Sequence, residues 1–216
     1  MNKGIHIYLD GADLKLITKW AKHPAISGFT TNPSLLKAAG VTNYAEFGRL
    51  ATAAALGKPI SFEVVADSIG DMNSQARIIN KWGPNVFVKI PITNAIGVST
   101  LPLVTRLAED GIKVNVTAVF TTMQIYESMR ALIHADDAIV SIFAGRIADT
   151  GCEPEEFVAD AVRVFRTNPR IRVLWASARE VYNVRQAVRV DADIITMTPA
   201  LFDKVAQCWG KDLTEY

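Results

Sequence analysis

Cysteine and metal-binding patterns are scarce in this chain. Cys152 and Cys208 are the only two cysteines among 216 residues, and they lie far apart with no CxxC partner. This usage predicts two free thiols in a reducing cytoplasm rather than a disulfide framework. The three histidines, His6, His23 and His134, are scattered and form no HExxH pattern. The sequence therefore predicts neither a disulfide nor a metal site.

The chain also lacks a long hydrophobic run and an excess of charge of either sign. No apolar stretch reaches the roughly 18 residues that a transmembrane helix needs, and Asp10 and Asp13 interrupt the segment where a signal peptide would be apolar. Lys and Arg number 23 against 22 Asp and Glu, so the net charge is +1. Nucleic acids and anionic membranes require a basic surface. We therefore expect a cytoplasmic protein that binds neither.

Eight short runs rich in β-branched residues alternate with segments of helical length. No linker rich in Pro, Gly or Ser separates them, which predicts one domain over residues 1–216. Eight units of about 27 residues fit a closed (β/α)8 TIM barrel better than an open doubly wound sheet. The missing GxGxxG motif also argues against the open α/β sheet. The predicted strands are 5–10, 26–31, 60–65, 85–90, 113–120, 138–143, 171–177 and 193–197.

Capping residues and prolines predict where several helices begin. Asp67 is a candidate N-cap for one helix, and Thr93 for another that would contain Pro102 and be kinked by it. Pro154 and Pro199 are each expected in the first turn of a further helix.

Polar residues gather at the ends of the predicted strands, where barrel enzymes have their active sites. Because side chains alternate along a strand, Asp10, Glu63, Lys89 and Thr117 are expected to face the interior near one mouth. A polar layer that only closes the barrel is the alternative interpretation. We favour a functional site, because converging charges are costly when buried unless they are paired or used.

Lys89 differs from the other lysines in its position. Most of them lie in predicted helices or loops, and Lys113 lies at the start of the fifth strand, at the opposite end of the barrel. Lys89 alone is at the end of an apolar strand, followed by Pro91. A lysine in that position is a candidate Schiff-base nucleophile.

Six segments together resemble the transaldolase family, in particular the small subfamily that includes fructose-6-phosphate aldolase. The resemblance covers nearly the whole chain and implies a class I aldolase mechanism on a (β/α)8 barrel, with no metal or organic cofactor. The segments are YLD (8–10), GFTTNPS (28–34), FVKIP (87–91), NVTAVF (115–120), SIFAGRI (141–147) and ASAR (176–179).

The resemblance also implies a role for each catalytic position. Lys89 would form the Schiff base with the C2 carbonyl of a ketose, and Asp10 would remove the C4 hydroxyl proton. Glu63 and Thr117 would hold a water that moves protons during imine formation. Sugar phosphates are the implied partners, and a homo-oligomer (pentamer or decamer) is the implied assembly.

Seven positions are implied to bind the substrate. Asn32 and Ser141 would contact the dihydroxyacetone hydroxyls, and Arg146, Ser177 and Arg179 would hold the phosphate. The full set is Thr31, Asn32, Ser141, Phe143, Arg146, Ser177 and Arg179.

Two positions favour a transferase over a lyase. Fructose-6-phosphate aldolase-like members typically have Gln at the position of Glu63 and Tyr at that of Phe143, and Phe143 has no proton to give to the enamine. Ile142 and Ala178 depart from the family pattern, which leaves another anionic tail, such as a sulfonate, open. A non-catalytic barrel that binds sugar phosphates, and an isomerase or epimerase that uses Glu63 as its base, are further alternatives.

Overall fold

Eight parallel strands form a closed barrel in chain order, with β8 pairing to β1. The structure, a computed structural model, describes residues 4–214. It confirms the predicted single-domain (β/α)8 barrel, and each strand overlaps a predicted run. The strands are β1 His6–Asp10, β2 Ile26–Thr30, β3 Ile60–Glu63, β4 Val86–Pro91, β5 Val114–Val119, β6 Ala138–Ile142, β7 Ile171–Trp175 and β8 Ile194–Met197.

Helices surround the barrel, and the β2–β3 and β6–β7 connections each contain two of them. No helix among residues 4–214 is long and apolar enough to cross a membrane. The helices are α1 Leu14–Ala21, α2 Pro33–Ala38, α3 Tyr44–Ala54, α4 Ile69–Asn80, α5 Leu101–Glu109, α6 Thr122–Ala131, α7 Ala144–Asp149, α8 Pro154–Phe165, α9 Tyr182–Arg189 and α10 Pro199–Cys208.

Strand alternation divides the core into an outer layer and an inner cluster. Outward residues such as Leu9 and Val88 pack against the helices in the large outer core. Inward residues form a smaller cluster that fills the barrel. Its members are Tyr8, Phe87, Ile139, Leu174, Ala176 and Ile194. Polar side chains on the same inward face, nearer the strand ends, are therefore held over a packed floor.

Two predicted helix starts are wrong. The N-cap of α4 is Ser68, and Asp67 instead accepts a hydrogen bond from Ala95 N at 2.7 Å, on the neighbouring loop. α5 has Thr100 as its N-cap, far beyond Thr93. Ser68 caps α4 by accepting a hydrogen bond from Asp71 N at 3.1 Å, one residue beyond the predicted cap. Thr93 instead pairs with Ser99 in an isolated antiparallel bridge, so the chain becomes helical only after that turn.

Three prolines lie in the first turn of a helix. Pro102 lies in the first turn of α5, where its missing N–H costs no helical hydrogen bond, so the predicted kink is wrong. Pro154 and Pro199 open α8 and α10 as predicted.

Candidate active site

Lys89 lies inside the barrel at the end of β4 and is only 6% exposed. Its Nζ is 2.9 Å from Glu63 Oε2 and donates a hydrogen bond to Thr31 O at 3.2 Å. Glu63 is its direct neighbour in the β3–β4 pairing, which brings the two side chains together. A buried amine is thus held beside a carboxylate that can accept its proton.

Asp10 ends β1 and is held by two neighbours on the β2 side. Thr30 Oγ1 donates to Asp10 Oδ1 at 2.8 Å, and Asn32 Nδ2 donates to Oδ2 at 3.3 Å. Burial raises the pKa of the Asp10 carboxyl above its ordinary value. The positive charge of Lys89 and the two donors oppose that rise, and Glu63 adds to it. The carboxyl is therefore a stronger base than an exposed aspartate.

Thr117 has a buried hydroxyl that is left without a partner. The residue is 1% exposed, and its Oγ1 has no hydrogen-bond partner within residues 4–214. The β5–β6 register shifts between Val116 and Val119, and Ala118 has a φ of 57°, which marks a bulge at this point. A buried unpaired hydroxyl at a bulged strand end suits a bound water or a substrate hydroxyl.

Ser141 belongs to a chain of buried polar groups that crosses the barrel. Its hydroxyl donates to Asn115 Oδ1 at 2.7 Å, and Asn115 Nδ2 donates to Ser61 Oγ at 3.0 Å. Asn115 is the register partner of Lys89 on β5, so this chain lies at the level of the lysine. The sequence predicts Ser141 as a site residue, but it does not predict Asn115 or Ser61.

Thr31 and Asn32 are committed to protein contacts. The Thr31 side chain is fully buried and donates to Ser61 O at 3.0 Å, so Thr31 reaches the site through its carbonyl alone. Asn32 is the N-cap of α2, where its Oδ1 accepts from Leu35 N, and its amide also holds Asp10. The helix start thereby fixes the orientation of the amide toward the carboxylate.

Phe143 and Arg146 form the edge of the site after β6. The Phe143 ring packs against the inner cluster and meets Phe120 edge-on at 5.4 Å between ring centroids. The Arg146 guanidinium lies 5.4 Å from the Phe143 centroid and, within the described residues, forms no ion pair. Arg146 is thus free to bind an anion near the mouth.

Arg179 pairs with an aspartate on α7, the helix that carries Arg146. Its guanidinium pairs with Asp149 at 2.8 Å, and the arginine side chain is 55% exposed. It lines a cavity bounded by α7, α9 and the segment before α8. An exposed pair of this kind contributes about 0–1 kcal/mol, so the contact with Asp149 is readily exchanged for another anion.

Ser177 lies in a tight turn against the start of α7. The residue has a φ of 63°, and a Cβ placed at Gly145 would overlap the Ser177 carbonyl oxygen. Gly145 therefore allows the β6 and β7 ends to approach closely, which brings Ser177 beside the segment that carries Arg146.

Replacing Gly145 with Ala is expected to push α7 away from the β7 end. Because the contact is with backbone, we expect a loss of about 1–3 kcal/mol in the free energy of unfolding and weaker binding of an anionic substrate. Urea unfolding and the KM for the substrate measure the two effects. Ala148→Gly, on the same helix, is the control, because it changes helix propensity without adding a Cβ that meets the Ser177 carbonyl. Gly151→Ala is less suitable: its Cβ would meet no atom, but Gly151 has a positive φ that strains any other residue. A KM that responds equally to Ala148→Gly would contradict this role.

Three further residues support the site without being predicted as site residues from the sequence: Thr30, Thr196 and Tyr44. Thr196 Oγ1 lies 2.7 Å from Thr30 Oγ1, and Tyr44 donates from its hydroxyl to Glu63 O at 2.8 Å. Strand alternation could have placed Thr30 and Thr196 inward, whereas the Tyr44 contact depends on how α3 packs on the barrel. Burial raises the pKa of the Tyr44 phenol, which keeps this donor protonated.

Solved structures share the fold at low sequence identity. The KGPDC of Streptococcus mutans aligns over 95% of this chain and all of its own, with a TM-score of 0.61 and 12% identity. A putative isomerase from Sinorhizobium meliloti aligns over 94% of this chain and 53% of its own, with a TM-score of 0.63 and 11% identity. At such identities the likeness shows the barrel alone.

Sequence comparison is more specific. A probable transaldolase of Dehalococcoides mccartyi is 33% identical over 194 residues, covering 89% of this chain and 86% of that protein. A probable transaldolase of Roseiflexus castenholzii is 36% identical over 194 residues, covering 89% and 85%. The family model described as Transaldolase/Fructose-6-phosphate aldolase matches residues 7–214. The chain therefore belongs to the transaldolase/fructose-6-phosphate aldolase family.

Proposed function

We propose that this enzyme is a transaldolase that moves a dihydroxyacetone unit between phosphorylated sugars through a Schiff base on Lys89. The observation that carries the proposal is the buried Lys89 amine, 2.9 Å from the Glu63 carboxylate inside the barrel. The remaining polar groups around it supply a base, a buried hydroxyl and an amide network. A barrel that only bound sugar phosphates would have no need of this lysine.

The first step forms the imine. Glu63 takes a proton from the Lys89 ammonium across their short contact, and the neutral amine attacks the ketose C2 carbonyl. The C2 oxygen must then leave as water, which requires two protons: one lost by the attacking nitrogen and one returned by Glu63. A water held between Glu63 and the unpartnered Thr117 hydroxyl would carry them.

The second step breaks the C3–C4 bond. Asp10 accepts the proton of the C4 hydroxyl, whose oxygen becomes the aldehyde of the departing sugar. The electrons of the C3–C4 bond move to C3 and C2, and the iminium nitrogen accepts a pair to give an enamine on Lys89. Ser141 and Asn115 lie at the level of the lysine, where they can bind the dihydroxyacetone hydroxyls.

The enamine then attacks the aldehyde carbon of an acceptor aldose. Bond formation and hydrolysis of the imine follow as the reverse of the two steps above. Arg146, held on the Phe143 ring, would bind the anionic tail of donor and acceptor. Arg179 would join it only by exchanging Asp149 for the ligand. Phe143 offers no proton to the enamine, so release of free dihydroxyacetone is expected to be slow.

A transfer assay tests this function. With fructose 6-phosphate as donor, formation of glyceraldehyde 3-phosphate should depend on added erythrose 4-phosphate. Equal rates without the acceptor would identify a lyase, and no turnover of fructose 6-phosphate would contradict the proposed donor. A parallel series of sulfonated ketoses then decides whether the tail is a phosphate or another anion.

Replacing Phe143 with Tyr is expected to raise the acceptor-independent release of dihydroxyacetone, by roughly tenfold or more, because a general acid is worth about 10²–10⁴-fold when well placed. Release is measured enzymatically without any aldose acceptor. Phe120→Tyr adds the same hydroxyl to the neighbouring ring and is the matched control. Unchanged release in Phe143→Tyr would show that the missing proton donor does not limit the lyase reaction.

A further inference from the structure

A chain of two hydroxyls runs inside the barrel beneath Asp10. β2 and β8 flank β1, and Thr30 on β2 meets Thr196 on β8 with their Oγ1 atoms 2.7 Å apart. Thr30 Oγ1 also donates to Asp10 Oδ1 at 2.8 Å. Both threonines are buried, at 2% and 6% exposure. The hydroxyl chain therefore lies on the side of the carboxylate away from solvent.

We propose that Thr30 and Thr196 are positioning residues that hold Asp10 in place in both of its protonation states and set its proton affinity. This inference rests on the proposed function, in which Asp10 takes up and returns a proton in every cycle.

The hydrogen count supports the proposal. When Asp10 is ionised, the Thr30 hydrogen goes to the carboxylate, so the Thr196 hydroxyl must donate to Thr30. When Asp10 is protonated, its own O–H can donate to Thr30, and Thr30 can then donate to Thr196. Each hydroxyl rotates about one bond to make the change. When the two hydroxyls exchange their donor and acceptor roles, the carboxyl keeps a hydrogen-bond partner in either protonation state, and no heavy atom moves.

The other groups around Asp10 cannot reverse in this way. Asn32 Nδ2 is a fixed donor to Oδ2, because its amide oxygen caps α2. The charged groups that act on the carboxyl are Lys89 and Glu63, whose effects on its proton affinity have opposite signs. Of the two described residues that hydrogen-bond the Asp10 carboxyl, only Thr30 can act both as donor and as acceptor, with Thr196 as its partner.

Loss of the hydroxyls should destabilise the ionised form of Asp10 relative to its protonated form. In Thr30→Val the carboxylate loses a donor, so the pKa of Asp10 should rise by about one unit. Thr196→Val leaves Thr30 in place but removes the hydroxyl that donates to it, so a smaller rise in the same direction is expected. Because a general base acts only when ionised, the acid limb of the kcat/KM profile should move to higher pH with it.

The test measures the pKa of the Asp10 carboxyl directly by ¹³C NMR titration of the free enzyme, with the signal assigned by Asp10→Asn. In parallel it measures the pH profile of kcat/KM. Thr30→Ser and Thr196→Ser keep the hydroxyls and should restore both. Thr52→Val removes a buried hydroxyl in α3, where it bonds only Gly48 O, and is the matched control for folding effects. Thermal unfolding checks that each variant is folded.

The outcomes separate this inference from the proposed function. A higher Asp10 pKa in both valine variants, reversed by serine, supports the chain whether or not the enzyme transfers dihydroxyacetone. An unchanged pKa in folded Thr30→Val, or the same shift in Thr52→Val, overturns it. The proposed function is tested separately, because borohydride trapping of a sugar on Lys89 should persist in the valine variants.

Discussion

Replacing Lys89 with Ala is expected to abolish transfer, with kcat lowered on the order of 10⁴-fold or more, because no other group can form the covalent intermediate. The amine lies within reach of Glu63 and the carbonyl of Thr31, and both contacts are lost with it. The measurement is kcat for fructose 6-phosphate with erythrose 4-phosphate as acceptor. Lys89→Met keeps most of the side-chain volume and should be equally inactive.

Lys113→Ala is the matched control for that loss. Lys113 lies just before β5, at the opposite end of the barrel, where its Nζ donates to Pro84 O and lies 5.6 Å from the Phe87 ring centroid. Its removal should leave kcat within a few-fold. Activity of folded Lys89→Ala within tenfold of the wild type would contradict a covalent role for Lys89.

Replacing Asp10 with Asn is expected to lower kcat by about 10²–10⁴-fold, the usual range for loss of a general base. Asparagine has nearly the same shape but cannot accept the C4 hydroxyl proton, whereas imine formation on Lys89 does not require it. The variant should therefore accumulate the Schiff base of the donor. Rapid-quench measurement of covalently bound sugar, together with steady-state kcat, separates the two steps.

Asp13→Asn is the control, because the same change is made three residues later. Asp13 is the N-cap of α1, accepting from Lys15 N at 2.7 Å and Leu16 N at 3.3 Å, and asparagine caps helices equally well. We expect its kcat and stability to stay near those of the wild type. If Asp10→Asn kept kcat within a few-fold, Asp10 would not be the base.

The raised pKa of Asp10 also sets the expected pH dependence. The base is active when ionised, so activity is present above its pKa and lost as the pH falls through it. Since burial raises that pKa in the free enzyme, the acid limb of the wild-type kcat/KM profile should lie above the ordinary aspartate value of about 3.9. The limb should vanish from the residual activity of Asp10→Asn.

Much of the barrel could be predicted from the sequence, because strand alternation and repeat length are local signals. The same signals place Lys89, Asp10, Glu63 and Thr117 on the inward face near one mouth. The errors lie where the loops touch one another. Asp67 is turned to Ala95 of the next loop, and this contact has no signature in the residues around Asp67.

The substrate-binding set was harder to predict, because its side chains have competing partners. Thr31 lies in a matching motif, yet its hydroxyl bonds Ser61 O and its carbonyl meets Lys89. Arg179 ends a matching motif too, but it pairs with Asp149 on α7. A motif predicts which residues lie near a site, whereas the partner of each polar atom depends on packing between strands and helices distant in sequence.

The central claim is tested most directly by borohydride reduction of the enzyme during turnover of fructose 6-phosphate, followed by peptide mass spectrometry. We predict one stable sugar adduct, located on Lys89, present in Lys113→Ala and absent from Lys89→Ala. An enzyme that turns over the donor without any trapped adduct, or with an adduct on another lysine that survives Lys89→Ala, would contradict it.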